Sequence, residues 1–213
     1  MTPDNKARYY ILMADVIKSR VLEGGKMMQD LKTLVTEFSR HNKDEFLSPM
    51  TITLGDEFQA IVKNPEGGIQ LLVKLEEKII EQALNLKLRY VLMLGEIDTP
   101  INKDYAHEMY GEGFIRAREK LGELKEKNRR FYFELGNQQS KLFDNIFFLY
   151  SSLVDNWKLD DYKLIHCFLQ EKDYYVVSKK LDINRGTVWK KERSLNIQQY
   201  FAIKEVIKES LKK

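Results

Sequence analysis

Three acids in this 213-residue chain stand where an apolar run meets a turn. Asp15 ends the run Tyr9-Tyr10-Ile11-Leu12-Met13-Ala14, and Asp56 and Glu57 follow Gly55 between the β-formers 49–54 and 58–62. If the two runs are neighbouring strands, Asp15 and Asp56 converge at one edge of a sheet. Two carboxylates placed so make a site for a hard divalent cation such as Mg2+, and for the phosphates that such a cation carries. The plainer use of the same residues is turn chemistry, since Gly-Asp suits a tight hairpin and an Asp after a strand is an ordinary cap.

The elements that must position these acids follow from periodicity. Arg8 to Val16 is continuously apolar, as in a strand buried on both faces. After a loop at 17–20, Glu23 to His41 carries Met27, Leu31, Leu34, Val35 and Phe38 at helical spacing. The hairpin 49–62 is expected to end in a loop, Asn64-Pro65-Glu66-Gly67-Gly68. A helix over 69–84, a strand over 86–97, an irregular loop over 100–110, a helix over 114–127 and a strand over 130–135 complete the body. The order β-α-β-β-α-β-α-β predicts an α+β fold, a sheet covered by helices. A helix over 140–157 then leads to a tail that reads as helical throughout. The predicted division is a sheet domain at 1–137, a linking helix at 138–157 and an all-α module at 158–213. No Gly- or Pro-rich linker separates the halves, so communication between them is expected.

Composition narrows the classes. Apolar residues make up 43% and charged residues 31%, as in an ordinary globular protein. No apolar run reaches membrane-spanning length and the N-terminus has no signal-peptide core, so a cytoplasmic protein with no membrane partner is expected. The single cysteine, Cys167, excludes an internal disulfide and a Cys-rich zinc site, and His41, His107 and His166 have no ligand spacing. The net charge of +3 is unevenly spread. From Lys158 onward 11 Lys and 2 Arg face 4 Asp and 4 Glu, a surplus of five. A polyanion, if bound, is therefore expected on the tail.

Within that tail, residues 174–191 fit a helix-turn-helix. Ser178 is small where the helices approach, Leu181 and Ile183 are expected in the core with Val188 anchoring the second helix, and Asp182 takes the turn position that favours left-handed backbone. Asn184 is the expected N-cap of a recognition helix showing Arg185, Thr187, Lys190, Lys191 and Arg193 to DNA. Trp189 is expected in the core. A plain helical bundle used for packing fits the same pattern, and the last helix has Tyr200, Ile203, Val206, Ile207 and Leu211 to cover it or to form a homodimer.

Several motifs occur together in one order. They are Asp15 on a strand, Leu54-Gly55-Asp56-Glu57-Phe58 at a hairpin tip, Leu88-Arg89-Tyr90-Val91-Leu92-Met93-Leu94-Gly95-Glu96, Tyr110-Gly111-Glu112 and Arg116-Ala117-Arg118. This set resembles the palm-type core of class III nucleotide cyclases and GGDEF domains, and the hairpin tip differs from the GGDEF signature at its first position alone. Over nearly its full length, helical tail included, the chain resembles the SatD family of small bacterial proteins. The resemblance implies a nucleotide-cyclase-like sheet holding Mg2+ on a nucleotide. Asp15 and Asp56 take the metal-ligand positions, with Glu57 as a further ligand or neighbour. Phosphate contacts would fall to Lys18, Ser19 and Arg20 of the first loop and to Arg116 and Arg118, which a charged helical face explains equally well. Either acid alone is best read as turn chemistry, and the two in this order favour a shared site. Two departures stand out: the cyclase Asn falls at Ile115 and the base-reading Lys at Ile52. They favour a DNA-binding regulator with a Mg2+/nucleotide-binding sensor over the other reading, a nucleotidyl-transfer or cyclase-type enzyme whose tail is an interaction module.

Overall fold

A computed structural model describes residues 7–17 and 24–212. The chain divides into two compact units, Met1–Leu75 with Leu86–Asp144, and Glu76–Asn85 with Asn145–Lys213. The α+β class expected from the sequence is the one observed. The first unit is a five-stranded sheet with helices on both faces. Its strands are β1 (Arg8–Val16), β2 (Phe46–Ile52), β3 (Glu57–Val62), β4 (Leu88–Glu96) and β5 (Phe131–Glu134). Their spatial order is β2-β3-β1-β4-β5, antiparallel except for β4 with β5.

The central strands β1 and β4 are buried on both faces, which is why they read as unbroken apolar runs. Side chains alternate across the sheet. Ile11, Met13, Ile61, Val91 and Met93 point to one face, where helix α3 (Glu112–Glu126) packs Phe114, Ala117, Leu121 and Leu124 against them. Leu12, Ala14, Phe58, Ala60, Val62, Tyr90 and Leu92 are buried on the other, beneath helices α1 (Gly24–His41) and α2 (Pro65–Glu81). All five apolar α1 residues named from periodicity are buried. Pro49 sits in β2, an edge strand whose register shifts around it, as a residue without an N–H requires.

One stretch departs from the expected loop. Asn64-Pro65-Glu66-Gly67-Gly68 is the start of α2. Asn64 Oδ1 accepts the Gly67 N–H at 2.7 Å as an N-cap, and Pro65 takes the first helical position, where its missing N–H is not needed. The glycines that suggested a loop serve packing: a Cβ at Gly68 would lie 2.9 Å from Leu92 Cδ2 and 3.1 Å from Val62 Cγ2. Between β4 and α3, the long segment 97–110 is tied to the hairpin through Ala106. Its N–H donates to Thr51 Oγ1 at 2.8 Å, and its carbonyl accepts from the buried Gln59 Nε2.

The second unit is all-α. Helix α4 (Gln139–Val154) runs into it, followed by α5 (Tyr162–Glu171), α6 (Tyr174–Leu181), α7 (Arg185–Ser194) and α8 (Ile197–Ser210). Its core is an aromatic chain in which Phe147 meets Tyr150, Tyr150 meets Tyr200, and Tyr200 meets Trp157, with ring centres 5.0–5.8 Å apart. Two of the polar tips have defined partners. Tyr200 Oη donates to Glu77 at 2.7 Å, and Trp157 Nε1 donates to the Leu195 carbonyl at 2.8 Å. Val206, expected to help cover this unit, is half exposed.

Candidate functional site

The acidic corner forms because of strand register. β1 pairs with β3 so that Asp15 lies opposite Glu57, and with β4 so that Asp15 lies opposite Arg89. Glu57, Asp15 and Arg89 therefore form a row across three adjacent strands. Asp56 stands beside them in the turn, its carbonyl accepting the Val16 N–H at 3.1 Å, while Gly55 supplies the left-handed backbone (φ +58°) that turns the chain.

Arg89 settles the electrostatics. Its Nη1 donates to both Asp15 oxygens, at 2.7 and 2.8 Å, its Nε reaches the Arg129 carbonyl at 3.3 Å, and its side chain is only 7% exposed. Burial still pushes the Asp15 carboxyl above its ordinary range. Arg89 pulls against that rise, and the charges of Asp56 and Glu57 add to it. Glu57 has a counterion of its own, since Arg118 Nε lies 3.3 Å from its Oε2. Three carboxylates here thus meet two guanidinium groups.

This arrangement does not fit the expected magnesium site. The point from which a cation would address both oxygens of Asp15 is held by a guanidinium nitrogen. A divalent ion would have to compete with that fixed positive charge for the same two carboxylate oxygens. Among the described residues no group of three or more His, Cys, Asp or Glu side chains is gathered to hold a metal ion. Arg89 stands in a motif of the sequence without an expected role. Its signal was present, a lone charge inside the apolar strand Leu88–Glu96. Of the phosphate-contact candidates, Lys18, Ser19 and Arg20 lie outside the described residues. Arg116 is paired with Glu134 on β5 and Arg118 with Glu57, so neither is held free for a ligand.

The second candidate surface is α7. Asp173 caps α6, accepting from the Tyr175 and Val176 N–H groups at 2.7 and 3.2 Å. Asp182 ends α6 in left-handed backbone (φ +53°), as its place in the turn suggested. Asn184 caps α7, accepting from Gly186 and Thr187 at 2.9 and 3.3 Å. Val177, Ser178 and Val188 are buried where the two helices meet. Ile183, expected in this core, is 37% exposed.

The exposed side of α7 presents Arg185, Thr187, Trp189, Lys190 and Arg193. Two expectations need correcting. Trp189 is 39% exposed, with the Arg193 guanidinium 4.3 Å from its ring centre, because it sits one residue past the buried Val188 and shares an i, i+4 stripe with Arg185 and Arg193. Lys191, its side chain 43% exposed, is engaged in an ion pair with the mostly buried Asp161 carboxylate. Arg185 lies over the Tyr174 and Tyr175 rings, at 5.4 and 5.2 Å, and donates to Tyr174 Oη at 2.9 Å. Lys179 also covers Tyr175, at 4.4 Å.

Fold and surfaces together define a two-unit α+β protein: a helix-covered mixed sheet with an acid-bearing hairpin, followed by an all-α unit with a cationic, aromatic helix face. The chain belongs to the SatD family, whose model matches residues 9–211. No curated protein matches it. Among solved structures it is similar to cyclase domains. One is a bacterial light-regulated adenylyl cyclase, at 14% identity and a TM-score of 0.44, covering 59% of this chain and 74% of that one. Another is the guanylyl cyclase domain of the RhoGC fusion protein from the aquatic fungus Blastocladiella emersonii. There the identity is 15% and the TM-score 0.39, covering 55% of this chain and 77% of that one. Among the described residues no helix is long and apolar enough to cross a membrane.

Proposed function

We propose that this protein is a DNA-binding regulator that docks α7 of its helix-turn-helix in the major groove. The observation that carries the reading is the outward face of α7, where Arg185, Thr187, Lys190 and Arg193 are all exposed behind a capped, tightly turned start. Arginine suits the guanine edge and phosphates, lysine the phosphates, and threonine either a base or a phosphate. The Asn184 cap leaves the first turn of α7 in place without DNA, so little ordering opposes binding.

The magnesium–nucleotide sensor expected of the sheet unit loses support, because the Asp15 carboxylate already pairs with Arg89. The enzyme reading weakens for the same reason, since two-metal nucleotidyl transfer needs that carboxylate as a ligand.

Fluorescence anisotropy of labelled duplexes with the full chain, across a salt series, tests the DNA reading. Binding should weaken with salt, each phosphate contact contributing roughly −0.9 to the log–log slope. Lys190→Ala and Arg193→Ala should each flatten that slope on every duplex. An affinity unchanged by both substitutions would reduce the helical unit to a packing module.

A further inference from the structure

The corner of the sheet carries a second conclusion, independent of DNA binding and located in the other unit. We propose that Arg89 is the built-in counterion of the acidic corner, standing where a divalent cation would otherwise stand, so that the sheet unit is complete without bound metal.

Four observations converge on this residue. Its strand, β4, is flanked on both sides and buried along most of its length, so Arg89 has no short route to solvent. Its Nη1 is shared between the two oxygens of one carboxylate at nearly equal distances, 2.7 and 2.8 Å, the position a bidentate cation would take. Its Nε is held by the Arg129 carbonyl, which fixes the guanidinium plane from a different segment of chain. The strand register places Arg89 opposite Asp15, so the pairing is set by backbone hydrogen bonding and not by chance rotamers. A guanidinium differs from a metal ion in needing no supply and in having no exchange rate. A corner neutralised this way keeps one geometry at any cation concentration.

Manganese titration of the full chain, followed by the electron paramagnetic resonance of free Mn2+, is the direct test. Wild-type protein should bind no Mn2+ at 1 mM, and neither Mg2+ nor EDTA should move its melting temperature. Arg89→Met strips the carboxylates of their counterion. That variant should gain Mn2+ affinity by at least tenfold over wild type and melt higher when Mn2+ is added, and Asp15→Asn in the same background should remove both effects. Should Arg89→Met not fold, Arg89→Gln reports instead, since its amide keeps a hydrogen-bond donor for Asp15 but carries no charge; a Mn2+-dependent rise in its melting temperature is then expected. Sub-millimolar Mn2+ binding by wild type that is lost in Asp15→Asn would overturn the proposal. So would an Arg89 variant that folds and remains indifferent to the ion.

Discussion

The acidic corner and the face of α7 are the two regions where the sequence concentrates charge at motif spacing, and they use that charge in opposite ways. In and beside the corner, cations meet acids: Arg89 with Asp15, Arg118 with Glu57, Arg116 with Glu134. On α7 and the adjoining α6, cations lie over aromatic rings: Arg185 over Tyr174 and Tyr175, Arg193 over Trp189, Lys179 over Tyr175. An ion pair satisfies a charge, whereas a ring orients it and leaves the full charge available to an anion. The same residue types therefore close one region and leave the other open. Lys191 on α7 and Lys180 on α6 mark the boundary of this contrast, cations paired with Asp161 and Glu171.

The largest effect should come from breaking the closed region. Arg89→Ala leaves a half-buried carboxylate without its partner and should destabilise the chain by about 3–5 kcal/mol in urea denaturation. The double change Asp15→Leu with Arg89→Met should recover most of that loss, because removing both members of a buried pair spares the desolvation cost of either. Singles and double that lose stability additively would mean that the two side chains act separately, and the contrast between the regions would lose its basis.

On the open region the effect is on binding. Arg185→Ala should weaken a preferred duplex by about 1–3 kcal/mol while changing arbitrary duplexes less, as expected for a base-edge contact. Lys190→Ala should weaken all duplexes alike, and Lys191→Ala should leave the salt slope as it is. If Lys191→Ala flattens the slope as much as Lys190→Ala, the distinction between committed and available cations fails on α7.

The difference between the regions also marks what was legible in the sequence. The strands, the hairpin, the apolar face of α1, the Asn184 cap and the left-handed Asp182 follow from local periodicity and turn chemistry, and each is observed. The Asn64–Gly68 stretch departs from a loop because Gly68 answers to Leu92 and Val62, and Gly67 to Glu45, residues brought near by the fold. The Asp15–Arg89 pair spans 74 residues and the Lys191–Asp161 pair 30. No local pattern encodes such partners. Trp189 is expected inside because a helix-turn-helix core needs an aromatic or aliphatic side chain there, although the helical period measured from the buried Val188 puts it on the flank.

The smallest expected effect sharpens the comparison within the sheet unit, by asking whether a paired and a merely buried carboxylate titrate in opposite senses. Burial acts to raise the Glu134 carboxyl, but hydrogen bonds from Arg116 and Tyr132 outweigh it and hold the group below the ordinary glutamate range. Asp144 accepts the Phe133 N–H at 3.0 Å, yet burial prevails and holds it above the ordinary aspartate range. The signs follow by linkage. Glu134 contributes stability that is present above its unfolded pKa and is lost as pH falls through its lower folded value. Asp144 is neutral to stability below its unfolded pKa and becomes a cost as pH rises through its higher folded value. Glu134→Gln should therefore be destabilising at pH 7 and nearly silent in strong acid. Asp144→Asn, which keeps an oxygen for the Phe133 N–H, should improve relative to wild type on going from pH 3 to pH 7. Because Glu134 and Arg116 are both about a third exposed, their share is screened and modest. Urea midpoints of the two variants and wild type across that range would show two difference curves of opposite slope, and curves of the same slope would mean that pairing and burial are not the opposing influences at this edge of the sheet.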